Sequence, residues 1–131
     1  MPLWLALLLG LMPSAALADC EATSTELRAE GRTVTVMFAT LPARIKVGEL
    51  FSLDVTLCPS PAAGAIRGFK VDAGMPEHRH GMNYQPKVLR VGEYRYAANG
   101  LMFHMPGRWR FVFDIDTAAG RERILSDYLL D

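Results

Sequence analysis

Strict alternation of apolar and polar side chains in residues 108–115 limits the possible folds of this chain more than any other feature. Every second position is a large apolar residue, and three of the four positions between them are charged. A period of two is that of a β-strand with one buried face and one face in water. The apolar positions are Trp109, Phe111, Phe113 and Ile115. The segment therefore predicts a strand of an antiparallel sheet, and an amphipathic helix is excluded.

Shorter runs with the same period occur through the rest of the chain, separated by Gly and Pro. Residues 33–38 and 51–58 alternate clearly, and residues 69–71 do so more weakly. Asn99-Gly100 predicts a tight turn because both residues tolerate positive φ, and residues 121–130 are either a last strand or a fraying tail. Together the runs predict about seven or eight strands in an all-β, immunoglobulin-like antiparallel β-sandwich. A single domain, residues 19–131, accommodates them.

The first 18 residues have the pattern of a cleavable signal peptide. An apolar run at residues 3–9 is followed by Ala16-Leu17-Ala18, the small-x-small pattern that precedes a cleavage site. The run is shorter than the roughly 20 residues of a membrane-spanning helix, so cleavage is favoured over retention as an N-terminal anchor. We therefore expect export to the periplasm, with no stable membrane insertion after cleavage.

Cys20 and Cys58 are the only two cysteines of the chain. Export would place both in an oxidising compartment, where thiols pair. The sequence therefore predicts a disulfide between them. The alternative is that the two thiols are additional metal ligands.

Charge and motif content exclude several classes of function. Fourteen basic and fourteen acidic residues cancel, and the arginines never form a run. Neither a nucleic acid nor an anionic membrane is therefore indicated as a partner. The chain also lacks a recognisable nucleophile–base pattern and a Gly-rich phosphate loop after a strand. We expect no enzymatic activity.

Histidine and methionine are concentrated between residues 75 and 105. This stretch contains all three histidines and four of the five methionines outside the N-terminal segment. Imidazole nitrogen and thioether sulfur are neutral ligands for soft or borderline metal ions, and thioether selects for Cu(I). The sequence therefore predicts a metal site formed by this methionine–histidine cluster. Its candidate ligands are Met75, His78, His80, Met82, Met102, His104 and Met105.

The arrangement of the candidate ligands depends on two segments. Residues 73–85 interrupt the strand pattern, and thirteen irregular residues are more than a simple connection needs. If this segment is extended, His78 and His80 project to the same side, within reach of one ion. If residues 102–105 form a strand, Phe103 and Met105 face the core while Met102 and His104 point outward. Either pair could lie near the histidine loop, and Met75 and Met105 could equally be core filler.

Copper is the favoured metal, and Cu(I) is favoured over Cu(II). The cluster contains one carboxylate, Glu77, and no thiolate, so its ligands are almost all neutral. Zinc is the less favoured alternative, because it also binds imidazole. A blue-copper site would need a cysteine beside the histidines, and neither cysteine is near them in sequence.

Three runs in this region resemble a family signature. Residues 71–82, Gly92-Glu93-Tyr94 and residues 101–109 are similar to the MPxHxHG … GxY … FxMxGxW pattern of the YtkA/FixH-like domain family. The resemblance covers roughly residues 40–116. It implies an extracytoplasmic β-sandwich accessory domain, tied in some members to copper supply for respiratory oxidases. FixH-type members keep a membrane anchor, whereas this N-terminus is predicted to be cleaved. Carried over residue by residue, the resemblance points to Met75, His78, His80 and Met105, to which this chain adds Met82, Met102 and His104.

The sequence as a whole predicts a periplasmic accessory protein that carries or buffers copper through the methionine–histidine cluster. Exposed thioethers exchange ions quickly, which suits a carrier. The expected partner is an exported protein that donates or receives copper. The alternative is an exported immunoglobulin-like interaction module without a metal, in which the histidine loop is a structural corner and a sheet face or edge contacts the partner.

Overall fold

The computed structural model describes Met1 and residues 26–131, and every regular element in this part is a β-strand. The prediction of an all-β antiparallel sandwich is confirmed, with nine strands. β1 and β5 account for the larger number, because strands of four and two residues are too short to show a clear alternation. The strands are β1 (Leu27–Glu30), β2 (Val34–Leu41), β3 (Leu50–Pro59), β4 (Ile66–Met75), β5 (His80–Gly81), β6 (Lys87–Arg90), β7 (Arg95–Met102), β8 (Gly107–Thr117) and β9 (Gly120–Leu130).

Two predictions concern residues outside the described part of the chain. The signal peptide and Cys20 both belong to residues 2–25, whereas Cys58 lies in β3. Cleavage and the Cys20–Cys58 disulfide therefore stay predictions. Among the described residues, no helix is long and apolar enough to cross a membrane.

The two sheets pack face to face around an aromatic core. One sheet has the strand order β1-β2-β3-β7-β6 and the other β5-β4-β8-β9. The alternation in residues 108–115 has the predicted result, because the four apolar side chains of β8 are completely buried. Rings from opposite sheets meet in the core, with Phe38 and Phe113 centroids 5.0 Å apart. Such burial of alternate residues on both inner faces is what holds a sandwich together.

The Asn99-Gly100 turn prediction is wrong. Both residues lie inside β7, and the chain continues through them to Met102. Phe51 pairs with Leu101 but Ser52 pairs with Asn99, so Gly100 is the extra residue of a β-bulge. Its φ of 85° is the positive value that also suits Gly in a tight turn, which is why the dipeptide is ambiguous in sequence.

The last segment is a strand rather than a fraying tail. β9 pairs with β8 along its whole length, from Gly120 opposite Thr117 to Leu130 opposite Gly107. Every residue of β8 therefore has a partner in β9, and the chain turns between the two strands at Ala118 and Ala119.

Residues 73–85 are less irregular than the sequence suggests. β4 continues through Ala73 to Met75, and the chain then turns and pairs His80 with Met75 and Gly81 with Gly74. The buried positions Val71, Ala73 and Met75 extend the period of two. The small side chain of Ala73 and the absence of one at Gly74 hide this continuation in the sequence.

Candidate metal centre

The two His/Met runs meet at one end of the sandwich. The first run forms the β4–β5 turn, and the second lies at the end of β7 and in the connection to β8. The ring centroids of His80 and His104 are 5.1 Å apart. The structure thus brings together imidazoles from two segments that are more than twenty residues apart in sequence.

The β4–β5 turn places His78 and His80 side by side for a different reason from the one predicted. The segment is a turn rather than an extended strand, and the His78 backbone N–H donates to the Met75 carbonyl at 3.1 Å. Arg79, between the histidines, has a φ of 53° in the left-handed region that is uncommon for a non-glycine residue. The two imidazole centroids are 5.7 Å apart, so they are neighbours as expected.

Met75 lies directly opposite His80 in the β4–β5 pair. Their side chains therefore project from the same face with Cβ atoms about 4.5–5.5 Å apart. Both line a shallow cavity of about 400 Å³. Met75 is only 2% exposed, and its methyl group reaches so close to Gly107 that a Cβ there would be 2.7 Å away. The Met75 thioether therefore lies between the two runs.

The second run has the expected facing at Phe103 and His104, but residues 103–105 lie outside any strand and Met105 has the same intermediate burial as Met102. Phe103 is fully buried and His104 is exposed, while Met102 and Met105 are half-buried. The Gly48 backbone N–H donates to the Phe103 carbonyl at 2.9 Å and ties this connection to the β2–β3 loop. Of the two pairs that the sequence left open, the outward one supplies the imidazole that meets the histidine turn.

The four methionines differ in access to solvent. Met75 is sealed, whereas Met82, Met102 and Met105 are half-buried, and Met82 and Met105 pack against the core. Met75, Met82 and Met105 therefore contribute to core packing as well as being candidate ligands. Only Met75 has a position fixed directly opposite an imidazole.

His80 has both other imidazoles as ring neighbours. The His78 ring is stacked on it at 27°, and the His104 ring is tilted at 36°. Within the described residues, no three His, Cys, Asp or Glu side chains already stand in an arrangement that could hold a metal ion. Two imidazoles with one thioether are a different ligand set, and one that suits Cu(I).

Trp109 is a component of this end of the sandwich that sequence reasoning placed only in the core. It is fully buried, and its ring is 6.1 Å from His80 and 5.3 Å from His104 between centroids. Because Gly74 pairs with Arg110, the neighbouring Met75 lies beside Trp109 in the sheet. The alternation of β8 shows that Trp109 faces inward, but no sequence pattern shows which residues it meets.

Ion pairs connect the histidine turn to the outer face of the sandwich. The Arg108 guanidinium pairs with Glu77 at 3.1 Å and with Asp127 at 2.8 Å. Arg110 pairs with the other oxygen of Asp127 at 2.6 Å. The hydrogen bond from Arg110, with that from Arg108, holds the pKa of Asp127 below its usual range despite some burial. The side chains of these groups are 32% to 63% exposed, so the ion pairs fix orientation more than they add stability.

No protein-family model matches the chain, and neither a curated protein nor a solved structure shows significant similarity to it. Membership of the YtkA/FixH-like family therefore stays a prediction from the three motif runs. The β-sandwich rests on the structure of this chain alone.

Proposed function

We propose that the protein is an exported, periplasmic accessory protein that carries or buffers copper as Cu(I) and is not an enzyme. The observation that carries the proposal is the contact between the His80 and His104 rings, with Met75 directly opposite His80 in the β4–β5 pair. Imidazole and thioether are both neutral, so they stabilise the singly charged ion without adding charge of their own. A YtkA/FixH-like role in copper supply is consistent with this set.

The arrangement favours exchange of the ion over permanent storage. His104 is exposed and His78 is an exposed neighbour of His80, so a partner's ligands can approach these imidazoles from solvent while Met75 stays buried. A donating or receiving exported protein could then replace the imidazoles one at a time. Affinity should weaken on acidification, because a protonated imidazole cannot coordinate a metal.

The test is a competition titration of Cu(I) against a colorimetric chelator. The protein as exported is compared with a His80→Ala/His104→Ala variant and with Met75→Leu. Met37→Leu is the matched control, because Met37 is equally buried but lies in β2, away from the histidines. We expect uptake of one ion per chain, at least a hundredfold loss of affinity in the double variant, and a tenfold loss in Met75→Leu. The Met37→Leu variant should bind like the wild type.

Two results would contradict the proposal. Equal, weak uptake by the wild type and the double variant would leave the interaction module without a metal. Tighter binding of Zn²⁺ than of Cu(I), dependent on the histidines but indifferent to Met75→Leu, would replace copper by zinc.

A further inference from the structure

We infer that Trp109 is the positioning residue of the proposed copper site, holding the His80 and His104 rings beside each other; the inference rests on the proposed function. The indole is perpendicular to both imidazoles, at 74° to His80 and 82° to His104. Among the described residues, Trp109 is the one non-histidine ring that contacts both His80 of β5 and His104 of the β7–β8 connection. Trp109 does not have to touch the ion for this role.

Trp109 is itself held firmly. Its ring stacks on Phe103 with centroids 4.3 Å apart and planes within 8°. Its indole N–H donates to the Met105 carbonyl at 3.0 Å, within the connection that carries His104. A ring fixed by stacking and by a hydrogen bond cannot turn away when the imidazoles move. It is a rigid wall for them.

The segments that carry the histidines are weakly held by their own backbone. β5 has two residues, and His104 lies outside any strand. Free imidazoles on such segments would have to be immobilised when a metal binds, and that ordering weakens affinity. Contact with one fixed indole orders both rings before the ion arrives. Trp109 therefore raises affinity by preorganisation.

The inference is tested by Cu(I) competition with Trp109→Phe, in a chain that also carries Trp4→Phe. Trp4 and Trp109 are the only tryptophans. In the chain that carries Trp4→Phe alone, the tryptophan emission therefore comes from Trp109, whether or not the N-terminal segment is removed. Phe retains part of the aromatic wall but loses the N–H donated to Met105. We expect a loss of about tenfold in Cu(I) affinity, equivalent to 1.4 kcal/mol at 25 °C.

Phe69→Leu is the control for general loosening of the core. Phe69 is buried and contacts Tyr96 and Phe113, far from the histidines in the contact pattern. This variant should lower the unfolding temperature and leave Cu(I) affinity unchanged. In the Trp4→Phe chain, Trp109 emission should change as Cu(I) is added and level off at one equivalent.

The outcomes separate the inference from the proposed function. If the wild type binds Cu(I) and Trp109→Phe binds it equally well, the positioning role is wrong and the copper site stands. If Trp109→Phe does not fold, the Trp109 emission of the Trp4→Phe chain is the deciding measurement. An emission change that saturates at one equivalent of Cu(I) supports the positioning role. Unchanged emission in a chain that has bound Cu(I) overturns it. If the wild type binds no Cu(I), the proposed function fails and the positioning role fails with it.

Discussion

Replacement of Glu122 by Gln should destabilise the protein in a pH-dependent way. Glu122 lies in β9 and is 8% exposed, yet its carboxylate faces the β1–β2 turn of the other sheet. Both carboxylate oxygens accept the Thr33 backbone N–H at 3.2 Å, and one also accepts the Thr33 hydroxyl at 2.7 Å. A single buried charge thus fastens one sheet to the other.

The size of the effect follows from these bonds. A hydrogen bond to a charged group contributes about 1.5–3 kcal/mol. Glutamine keeps one acceptor oxygen but turns a second donor toward Thr33, so we expect a loss of about 1.5–3 kcal/mol in the free energy of unfolding at pH 7.

The pKa of Glu122 sets the pH range of this contribution. Burial raises that pKa, but the hydrogen bonds from Thr33 and the charge of Arg32 outweigh burial and place it below the ordinary value of 4.5. A carboxyl group with a lowered folded pKa stabilises the fold fully above its unfolded pKa. The contribution is lost as pH falls through the lower, folded pKa. The difference between wild type and Glu122→Gln should therefore shrink in acid.

Urea unfolding followed by Trp109 emission measures both effects, at pH 7 and at successively lower pH. The matched control is Asp116→Asn, a carboxylate-to-amide change in the neighbouring strand whose exposed partner is Arg121 at 3.1 Å. It should shift the midpoint less than Glu122→Gln does. Equal shifts at pH 7, or a Glu122→Gln difference that persists undiminished in acid, would refute the reasoning.

Two further substitutions near the histidines test the backbone geometry. Arg79→Gly should raise the free energy of unfolding by about 1 kcal/mol, because glycine adopts the left-handed φ of 53° without steric cost. Thermal unfolding measures this change, and a variant less stable than the wild type would contradict the prediction. Gly107→Ala should lower that free energy by about 1–3 kcal/mol, because Gly107 has a φ of 128° and a Cβ there would press on the Met75 methyl group. The same melts should show a lower midpoint, and a midpoint equal to that of the wild type would contradict both the backbone strain at φ 128° and the contact with Met75.

The fold was predictable wherever side chains alternate clearly. In β8, four large apolar residues at every second position predict a strand with one buried face, and all four are buried in the structure. Short strands such as β5 were not predictable, because a two-residue strand exists only through its pairing with Met75 and Gly74. The turn prediction at Asn99-Gly100 was wrong because the positive φ of Gly100 suits a β-bulge as well as a tight turn, and strand pairing decides between them.

The composition of the candidate site was predictable, but its geometry was not. Clustering of His and Met in sequence identified the ligand types, and the outward direction of His104 followed from the alternation around Phe103. Which sulfur lies beside which imidazole depends on the register of β4 with β5, and one residue of slippage would turn Met75 to the opposite face. Trp109 was missed as a neighbour of the histidines because its contacts come from two other segments, β5 and the β7–β8 connection, which only the fold brings together.

His80 belongs to the four-stranded sheet, and His104 lies on the crossing from the other sheet. Copper bound by both histidines would link the two sheets, and the ion would have to be released before the sheets could separate. Occupied molecules would then gain stability with rising copper concentration, by the ordinary linkage of binding to folding. Empty molecules would open more often and be degraded first, so if the proposed function is right, the amount of the protein would follow the supply of copper.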